Sequence, residues 1–223
     1  DCGKAFNEAS DTGFHKQSPI QDDYAFDREL LYNNAVFAAF KSHRFQNDIA
    51  SQLLDEDGQL KPFDIFKRDV EKFASPLHLE SWLQTEYATA VIRAHQASDW
   101  RRFERDKDVL PRLRWVESTS VHPGEDHRVF WGIIRSIDDP FWSAHRPGDR
   151  WNCKCSLEAT DEAETDIPDT GNLYAPAPGL DNNPGRDAKL FSDTHPYIQN
   201  AYKGAKEAVR KFISRETLGQ GRN

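Results

Sequence analysis

The segment from His127 to Cys155 constrains the fold more than any other part of the chain. It contains three of the six tryptophans, two of the three cysteines and two of the eight histidines. Cys153 and Cys155 are one residue apart, and His145 and His127 precede Cys153 by 8 and 26 residues. Two thiolates and two imidazoles are enough to complete a tetrahedral zinc shell. The segment therefore predicts a compact knuckle held by zinc.

The same residues allow a second interpretation without a metal. His127 and His145 would then cap loops by hydrogen bonding, and the cysteines would be small buried apolar side chains, as free cysteines often are. If zinc is bound, four protein ligands leave no coordination position for a substrate or water. The metal hypothesis therefore predicts a structural site formed by His127, His145, Cys153 and Cys155.

The residues between the two histidines have predicted supporting roles. In one interpretation Asp138 and Asp139 hold ligating histidines in place; in the preferred one Asp138 caps or turns the chain just before Pro140. Phe141, Trp142 and Trp151 supply apolar packing that a small metal knuckle otherwise lacks. An exposed aromatic patch is the less favoured interpretation, because aromatic clusters beside turns are more often internal.

The knuckle also carries a family resemblance. It is carried by His127-x4-Gly132, then Asp138-Asp139-Pro140-Phe141-Trp142-x2-His145-x-Pro147, and finally Trp151-Asn152-Cys153-x-Cys155. This run resembles the signature of phage Mu F-like head morphogenesis proteins, the minor head proteins of tailed phages and prophages, and the resemblance covers about residues 82–157. Where other branches of the family carry a C-x2-C pair, this chain has Gly124 and His127. The fourth ligand must then be His145 or His122.

The resemblance implies a virion component that binds the portal or inner capsid during head assembly, in the virion or the bacterial cytoplasm. It implies no catalytic mechanism. Two alternatives remain open: a carrier module of a toxin or effector, and a small enzyme. In the enzyme, His127 would pair with Cys153 or Cys155, and Asp126 or Asp139 would orient the imidazole. The chain contains no phosphate-binding glycine loop, G-x-S-x-G or H-E-x-x-H motif.

Composition narrows the possible partners and compartments. The net charge of −8 and a pI near 5.5 argue against a dedicated nucleic-acid surface, which needs clustered Lys and Arg. Three cysteines with a C-x-C pair indicate a reducing compartment, and no apolar run is long enough to span a membrane. Methionine is absent even at position 1, which predicts that the sequence begins inside a longer reading frame or after processing.

Apolar residues at three- and four-residue steps predict the helices of the N-terminal half. One helix is expected over residues 22–54, a second over 63–73 and a third over 79–106. Gly58 predicts a tight turn after the first helix. Residues 1–21 are polar and rich in turn-forming residues, so they are expected to form an arm without a packed element.

The second half changes character. Alternating bulky residues predict a strand over 113–118 inside the knuckle, which spans 112–157. Asp, Asn, Pro and Gly dominate residues 161–196 and predict irregular structure there. A terminal helix is expected over 198–214.

The predicted fold class is α+β, with a mostly helical N-terminal half, a small strand-and-loop knuckle and an extended C-terminal tail ending in a helix. Hydrophobic residues make up 37% of the chain, charged residues 30%, and mean hydropathy is −0.80, which indicates a small core with exposed arms. The expected organisation is a polar leader arm (1–21), a Mu F-like domain (22–157) and a tail rich in Pro, Gly and Asp (158–223).

Overall fold

The computed structural model describes residues 2–15, 24–72, 74, 76–171 and 173–211, and it has the predicted α+β class. The helices are α1 (Cys2–Ser10), α2 (Tyr24–Ala50), α3 (Phe63–Glu71), α4 (Pro76–Asp106), α5 (Glu125–Arg128), α6 (Phe141–Ala144), α7 (Pro184–Asp187) and α8 (Pro196–Gln199). The strands are β1 (Arg112–Val116), β2 (Ile134–Ser136) and β3 (Ser156–Thr160), and a π-helical turn, Asp11–His15, follows α1. No helix in the described parts of the chain is long and apolar enough to cross a membrane.

The first long helix, α2, confirms the periodicity prediction but ends earlier than expected. It stops at Ala50, and Leu54 already pairs with Leu60 in an isolated antiparallel bridge. Gly58 lies at the tip between them with a φ of 76°, a left-handed conformation that glycine adopts without strain. The predicted turn at Gly58 is therefore confirmed, and the last residues of the predicted helix belong to the turn.

The boundary between α3 and α4 differs from the prediction in an instructive way. The third helix was expected to begin at residue 79, yet α4 begins at Pro76. Proline is tolerated at the first position of a helix, because the amide proton it lacks has no partner inside the helix there. The predicted end of α3 at Phe73 lies outside the described residues, and the structure ends α3 at Glu71.

The prediction that the N-terminal arm has no packed element is wrong for its described part. Helix α1 buries Phe6 and Ala9, and Phe14 of the π-helical turn is also buried. Gly13 lies directly on α4: a Cβ at that position would come within 2.5 Å of the Ala94 Cβ. Few apolar residues suffice here, because α2 and α4 supply most of the core. Residues 16–21 lie outside the described residues.

These helices enclose the larger of two main cores, which we call the helical core. Its buried members are Phe6, Ala9, Phe14, Leu30, Phe37, Ala38, Ala90, Ala94, Ala97, Leu180, Ala188, Leu190 and Phe191. Its three alanines from α4 allow the neighbouring backbone to approach that helix closely. The last four members come from the C-terminal segment, defined here as residues 161–211.

The C-terminal segment is largely irregular, but it packs against the helices. Leu180 and Leu190 are fully buried. Irregular structure was predicted throughout residues 161–196, and α7 is an exception, capped by the side chain of Asn183. The predicted terminal helix is divided into α8 and a helical stretch over 205–211, and its predicted end at 212–214 lies outside the described residues. The domain boundaries at residues 22 and 157 remain predictions.

One buried arginine fixes this segment to α4. The Arg93 side chain donates to the carbonyl oxygens of Leu190 (2.5 Å), Gly148 (2.6 Å), Leu180 (3.2 Å) and Asn182 (3.0 Å). Burial lowers the pKa of Arg93 to about 9. Because Arg93 lies on α4 and binds carbonyl groups of three separate loop stretches, it holds these loops in a fixed arrangement.

The sheet is small and antiparallel, in the order β2-β1-β3. Leu113 lies opposite Arg135 of β2 and Ala159 of β3, and Trp115 lies opposite Leu157. Leu113 and Trp115 are buried while their neighbours in β1 are half-buried, which is the alternation expected of a strand with one covered face. The strand predicted over 113–118 is therefore confirmed, displaced by one or two residues.

A second core, the aromatic core, lies beneath the knuckle. Its buried members are Trp100, Phe103, Leu113, Trp115, Phe130, Ile133, Ile137, Phe141, Trp142 and Cys155. Phe141 and Trp142 are thus internal, as the preferred interpretation predicted. Trp151 differs: it is only partly buried, and it packs against the helical core. The core joins the C-terminal half of α4 to the sheet and to the loops that carry the candidate metal ligands.

Candidate metal centre

Three of the four predicted ligands converge on one point. The Nδ1 atom of His127 lies 3.2 Å from the Cys153 sulfur and 3.8 Å from the Cys155 sulfur. The ligand atoms of all three residues lie within 4.8 Å of one another. These are two thiols and one imidazole, the donors that zinc prefers in proteins.

Local structure explains how residues so far apart in sequence meet. His127 lies on the single turn of α5, and Cys155 directly precedes β3, which pairs with β1. Cys153 follows Asn152, which has a φ of 56° and whose amide donates to the hydroxyl of Thr89 on α4. The cysteine turn is therefore held by α4 on one side and by the sheet on the other.

A buried carboxylate orients the imidazole. The Asp149 Oδ1 atom lies 2.7 Å from His127 Nε2, and Asp149 is 1% exposed. An ionised carboxylate only accepts hydrogen bonds, so when the His127 ring is neutral its proton is on Nε2 and its lone pair is on Nδ1, the atom that faces the two sulfurs. Metal-binding histidines in proteins usually have such an outer partner, which fixes the ring and its tautomer.

Hydrogen bonds among the three side chains shift their pKa values. Burial opposes a charge on His127, but its hydrogen bonds with Asp149 and Cys155 prevail and raise its pKa to about 9. The bond from Cys153 lowers the pKa of Cys155 to about 4, and the bond to Cys155 together with burial raises the pKa of Cys153. The site therefore already stabilises one thiolate, the form in which cysteine binds metals.

Two tryptophans add to this stabilisation. The indole N–H groups of Trp115 and Trp131 help to lower the pKa of Cys155. Both indole nitrogens are buried, and neither has a hydrogen-bond partner of ordinary geometry among the described residues. Donors aimed at a sulfur favour its anionic form, which supports the assignment of Cys155 as a thiolate.

His145 is not part of the converged group. It ends α6, and its ring packs on Phe130 with the ring centroids 4.6 Å apart. Its Nδ1 atom is buried and finds no hydrogen-bond partner in the described part of the chain, and burial lowers its pKa. The alternative ligand His122 is exposed and also lies outside the group.

Asp138 and Asp139, considered as supports for the histidines, make other contacts. The capping contact predicted for Asp138 is made by Asp139, which accepts a hydrogen bond from the amide of Phe141 (2.8 Å) and also binds Arg135. Asp138 forms an ion pair with Lys107 at 3.7 Å. Among the described residues, neither aspartate forms a hydrogen bond with His127.

Sequence reasoning missed the supporting residue that the structure provides. Asp126, considered as an orienting group, pairs instead with Arg150 at 2.7 Å, and Asp149 occupies the orienting position. Asp149 lies within the signature, four residues before Cys153. Its only sequence signal is a carboxylate in the loop that joins the second histidine to the cysteines.

The geometry suits a structural metal better than a nucleophile. Cys155 has the low pKa that a nucleophile needs, but it is only 5% exposed. A substrate could not reach its sulfur without opening the aromatic core. Two thiols and an imidazole with a carboxylate behind it fit zinc in the identity of the donors and in their support.

Comparisons with known proteins place this site in a family. Residues 63–158 match the family described as Phage Mu protein F like protein. The Mu-like prophage FluMu F protein of Haemophilus influenzae is 30% identical over 80 residues, which are 36% of this chain and 19% of that protein. Putative capsid assembly protein F of Escherichia phage Mu is 27% identical over 97 residues, 43% of this chain and 22% of that protein.

The similarity therefore spans only about a fifth of each curated relative. No solved structure matches the chain. The matched region begins at the first residue of α3 and ends within β3, so it contains all four predicted ligands and the orienting Asp149. Residues 63–158, called the family region below, belong to the phage Mu protein F-like family.

Proposed function

We propose that this chain acts in head assembly of a tailed phage or prophage, as a minor head protein that binds the portal or inner capsid. It would act in the virion or in the bacterial cytoplasm while heads form. The observation that carries the proposal is the family match over residues 63–158. The printed name of the phage Mu relative, a putative capsid assembly protein, supports the same process.

The metal centre would give the knuckle a fixed shape. When bound, zinc would supply a cross-link between α5 and the start of β3. His127 would bind through Nδ1, with Asp149 holding the ring from behind, and the two cysteines would bind as thiolates. Because the chain from His127 to Cys153 includes little regular structure, such a cross-link would restrict it strongly.

His145 is the proposed fourth ligand. Its Nδ1 has no hydrogen-bond partner among the described residues, so this nitrogen is available to bind the metal if the ring turns toward the sulfurs. Its ring packs on Phe130, which packs on Trp115, which in turn contacts His127. Successive ring contacts therefore connect His145 to His127 through the aromatic core.

Exposed apolar side chains between α2 and α3 offer a surface for the partner; residues 51–63 are called the α2–α3 connection below. Leu60 and Phe63 are 75% and 77% exposed, and Leu54 beside them is half exposed. Apolar residues grouped on a surface often mark a protein contact. We propose that the α2–α3 connection, which leads into the family region, contacts the portal or inner capsid.

Gene deletion tests the assembly role. In the phage or prophage that encodes this chain, deletion is expected to prevent complete heads, counted by electron microscopy, and the wild-type gene should restore them. The double variant Leu60→Ser/Phe63→Ser should fail to restore heads, while Val109→Ser/Val121→Ser, equally exposed residues outside the α2–α3 connection, should succeed. Normal heads in the deletion strain would overturn the proposal.

Elemental analysis tests the metal. We expect one zinc per purified chain, lost in Cys153→Ser and Cys155→Ser. His145→Ala should bind zinc more weakly, whereas the exposed His122→Ala should bind it like the wild type. Reduced, freshly purified protein without metal would refute the zinc centre and leave the assembly proposal to the deletion experiment.

A further inference from the structure

One loop of the knuckle contacts both a candidate metal ligand and the C-terminal segment. Residues 146–152, which end just before Cys153, are called the ligand loop below. On one side of this loop, the Asp149 carboxylate lies 2.7 Å from His127 Nε2. On the other side, the loop bonds to residues of the C-terminal segment, which lies outside the family region. The ligand loop therefore connects the candidate metal centre to a part of the chain without family similarity.

Direct hydrogen bonds attach the C-terminal segment to the ligand loop. The amide of Ala177 donates to the carbonyl oxygen of Asp149 at 2.9 Å. The side chain of Arg146 donates to the carbonyl oxygen of Leu180 at 2.9 Å, and its backbone amide donates to Asp149 Oδ2 at 3.3 Å. Asp149 thus holds His127 with its side chain and the C-terminal segment with its backbone. A shift of this residue would disturb both contacts.

Two further contacts join the same parts of the fold. Arg93 of α4 donates to the carbonyl oxygen of Gly148 at 2.6 Å and to that of Leu190 at 2.5 Å, so it binds the loop and the segment together. The ring of Trp151 stacks on Phe191, with the ring centroids 5.8 Å apart. The ligand loop is therefore attached to the C-terminal segment along its length, from Arg146 to Trp151.

The backbone of the ligand loop needs support from its surroundings. Gly148 has a φ of 83° and Asn152 a φ of 56°. Glycine adopts this left-handed conformation freely, but another residue keeps it only where the surrounding structure holds it. The contacts with His127 and those with the C-terminal segment fit the same loop conformation. Each set of contacts therefore stabilises the loop in the form that the other set requires.

We infer that metal binding at the knuckle is coupled to attachment of the C-terminal segment. This inference rests on the metal centre of the proposed function. A ligated His127 keeps Asp149 in place, and Asp149 in turn keeps its carbonyl oxygen directed at the amide of Ala177. By linkage, the attached segment strengthens metal binding by the same factor, and such couplings typically amount to about 5- to 150-fold. The metal centre is thus a switch for the attachment of residues 161–211.

Hydrogen–deuterium exchange of the whole, reduced chain tests the coupling from the metal side. Removing zinc with a chelator should speed exchange at least about 5-fold in peptides from residues 174–182, which include the bonded amide of Ala177. Peptides from α3, which has no buried residue, should exchange at an unchanged rate. Unchanged exchange in residues 174–182 of a chain that binds zinc would overturn the inference alone. A chain that binds no zinc would overturn it together with the metal centre.

Paired variants test the coupling from the side of the segment. Leu180 of the C-terminal segment and Leu30 of α2 are both fully buried in the helical core. Leu180→Ala should lower zinc affinity about 5- to 10-fold in competition with a chromophoric chelator, because it loosens the segment that supports the ligand loop. Leu30→Ala removes the same side-chain atoms from the same core and should leave zinc affinity unchanged. Equal zinc affinities in the two variants, both with native circular dichroism, would overturn the inference. The exchange measurement on the wild type needs neither variant to fold.

Discussion

Replacing Asp149 with asparagine tests how the candidate metal centre is held. The carboxylate lies 2.7 Å from His127 Nε2 and is 1% exposed, so solvent screens the contact very little. Asparagine is nearly the same size, but it can donate its own N–H to Nε2. That would favour the imidazole tautomer with its proton on Nδ1, where the lone pair must face the metal.

The expected loss follows from the position of Asp149 behind the ligand. Replacing an outer-shell partner of a metal-binding histidine usually weakens metal affinity about 10- to 100-fold, or about 1.4–2.8 kcal/mol. We expect Asp149→Asn to fall in this range. The assay is zinc competition against a chromophoric chelator, performed on reduced protein at constant pH.

Asp126→Asn is the matched control. Asp126 forms an ion pair with Arg150 at 2.7 Å and is 37% exposed at its side chain, and it does not orient His127. A partly exposed pair of this kind contributes about 0–1 kcal/mol, so zinc affinity should change less than about 5-fold. If Asp149→Asn kept wild-type affinity while its circular dichroism showed a native fold, the orienting role would be refuted. Equal losses in both variants would indicate a general effect of charge.

Three further predictions concern stability. Arg93→Met leaves buried carbonyls without donors and should cost about 3–5 kcal/mol, lowering Tm by about 10 °C, whereas the exposed Arg102→Met should shift Tm by no more than about 2 °C. A small shift for Arg93→Met would mean that the carbonyls find other partners. Burial lowers the pKa of His195 to about 4, below the unfolded value near 6.5. Because the unfolded chain binds that proton first, stability should be complete above pH 6.5 and fall by about 3 kcal/mol as the pH drops to 4. Urea unfolding at several pH values should show a smaller loss of stability for His195→Asn than for the wild type as the pH falls. Equal losses in the two proteins would contradict the lowered pKa of His195. Chelator treatment should lower the Tm of the wild type but leave Cys153→Ser, which has no metal to lose, unchanged.

The long helices could be predicted because their apolar residues repeat at helical spacing. Phe37 and Ala38 of α2 are buried as the repeat requires. Helix α1 was missed for the opposite reason: its buried residues, Phe6 and Ala9, are too few to form a repeat, and their burial depends on α2 and α4. Periodicity therefore predicts long helices with a continuous apolar face. It misses short helices whose few apolar residues pack into a core formed mainly by other helices.

The candidate metal centre could likewise be predicted only in part. His127, Cys153 and Cys155 could be predicted, because thiols and imidazoles grouped in one segment are uncommon unless they bind or pack together. Asp149 could not, since an aspartate in a polar loop is ordinarily exposed and only the folded structure shows it buried against an imidazole. The placement of His145 also depended on packing, because its ring is turned toward Phe130.

Arg93 shows that the limits of sequence similarity are not the limits of the folded unit. It lies within the family region, yet three of its four carbonyl acceptors, those of Leu180, Asn182 and Leu190, lie beyond residue 158. Its burial would leave an uncompensated charge without them, and the helical core would lose Leu180 and Leu190 as well. The family region therefore depends on the C-terminal segment to bury its own longest helix, and that helix in turn anchors the cysteine turn through Thr89. A physical description of the candidate metal centre must consequently include residues that carry no family signal.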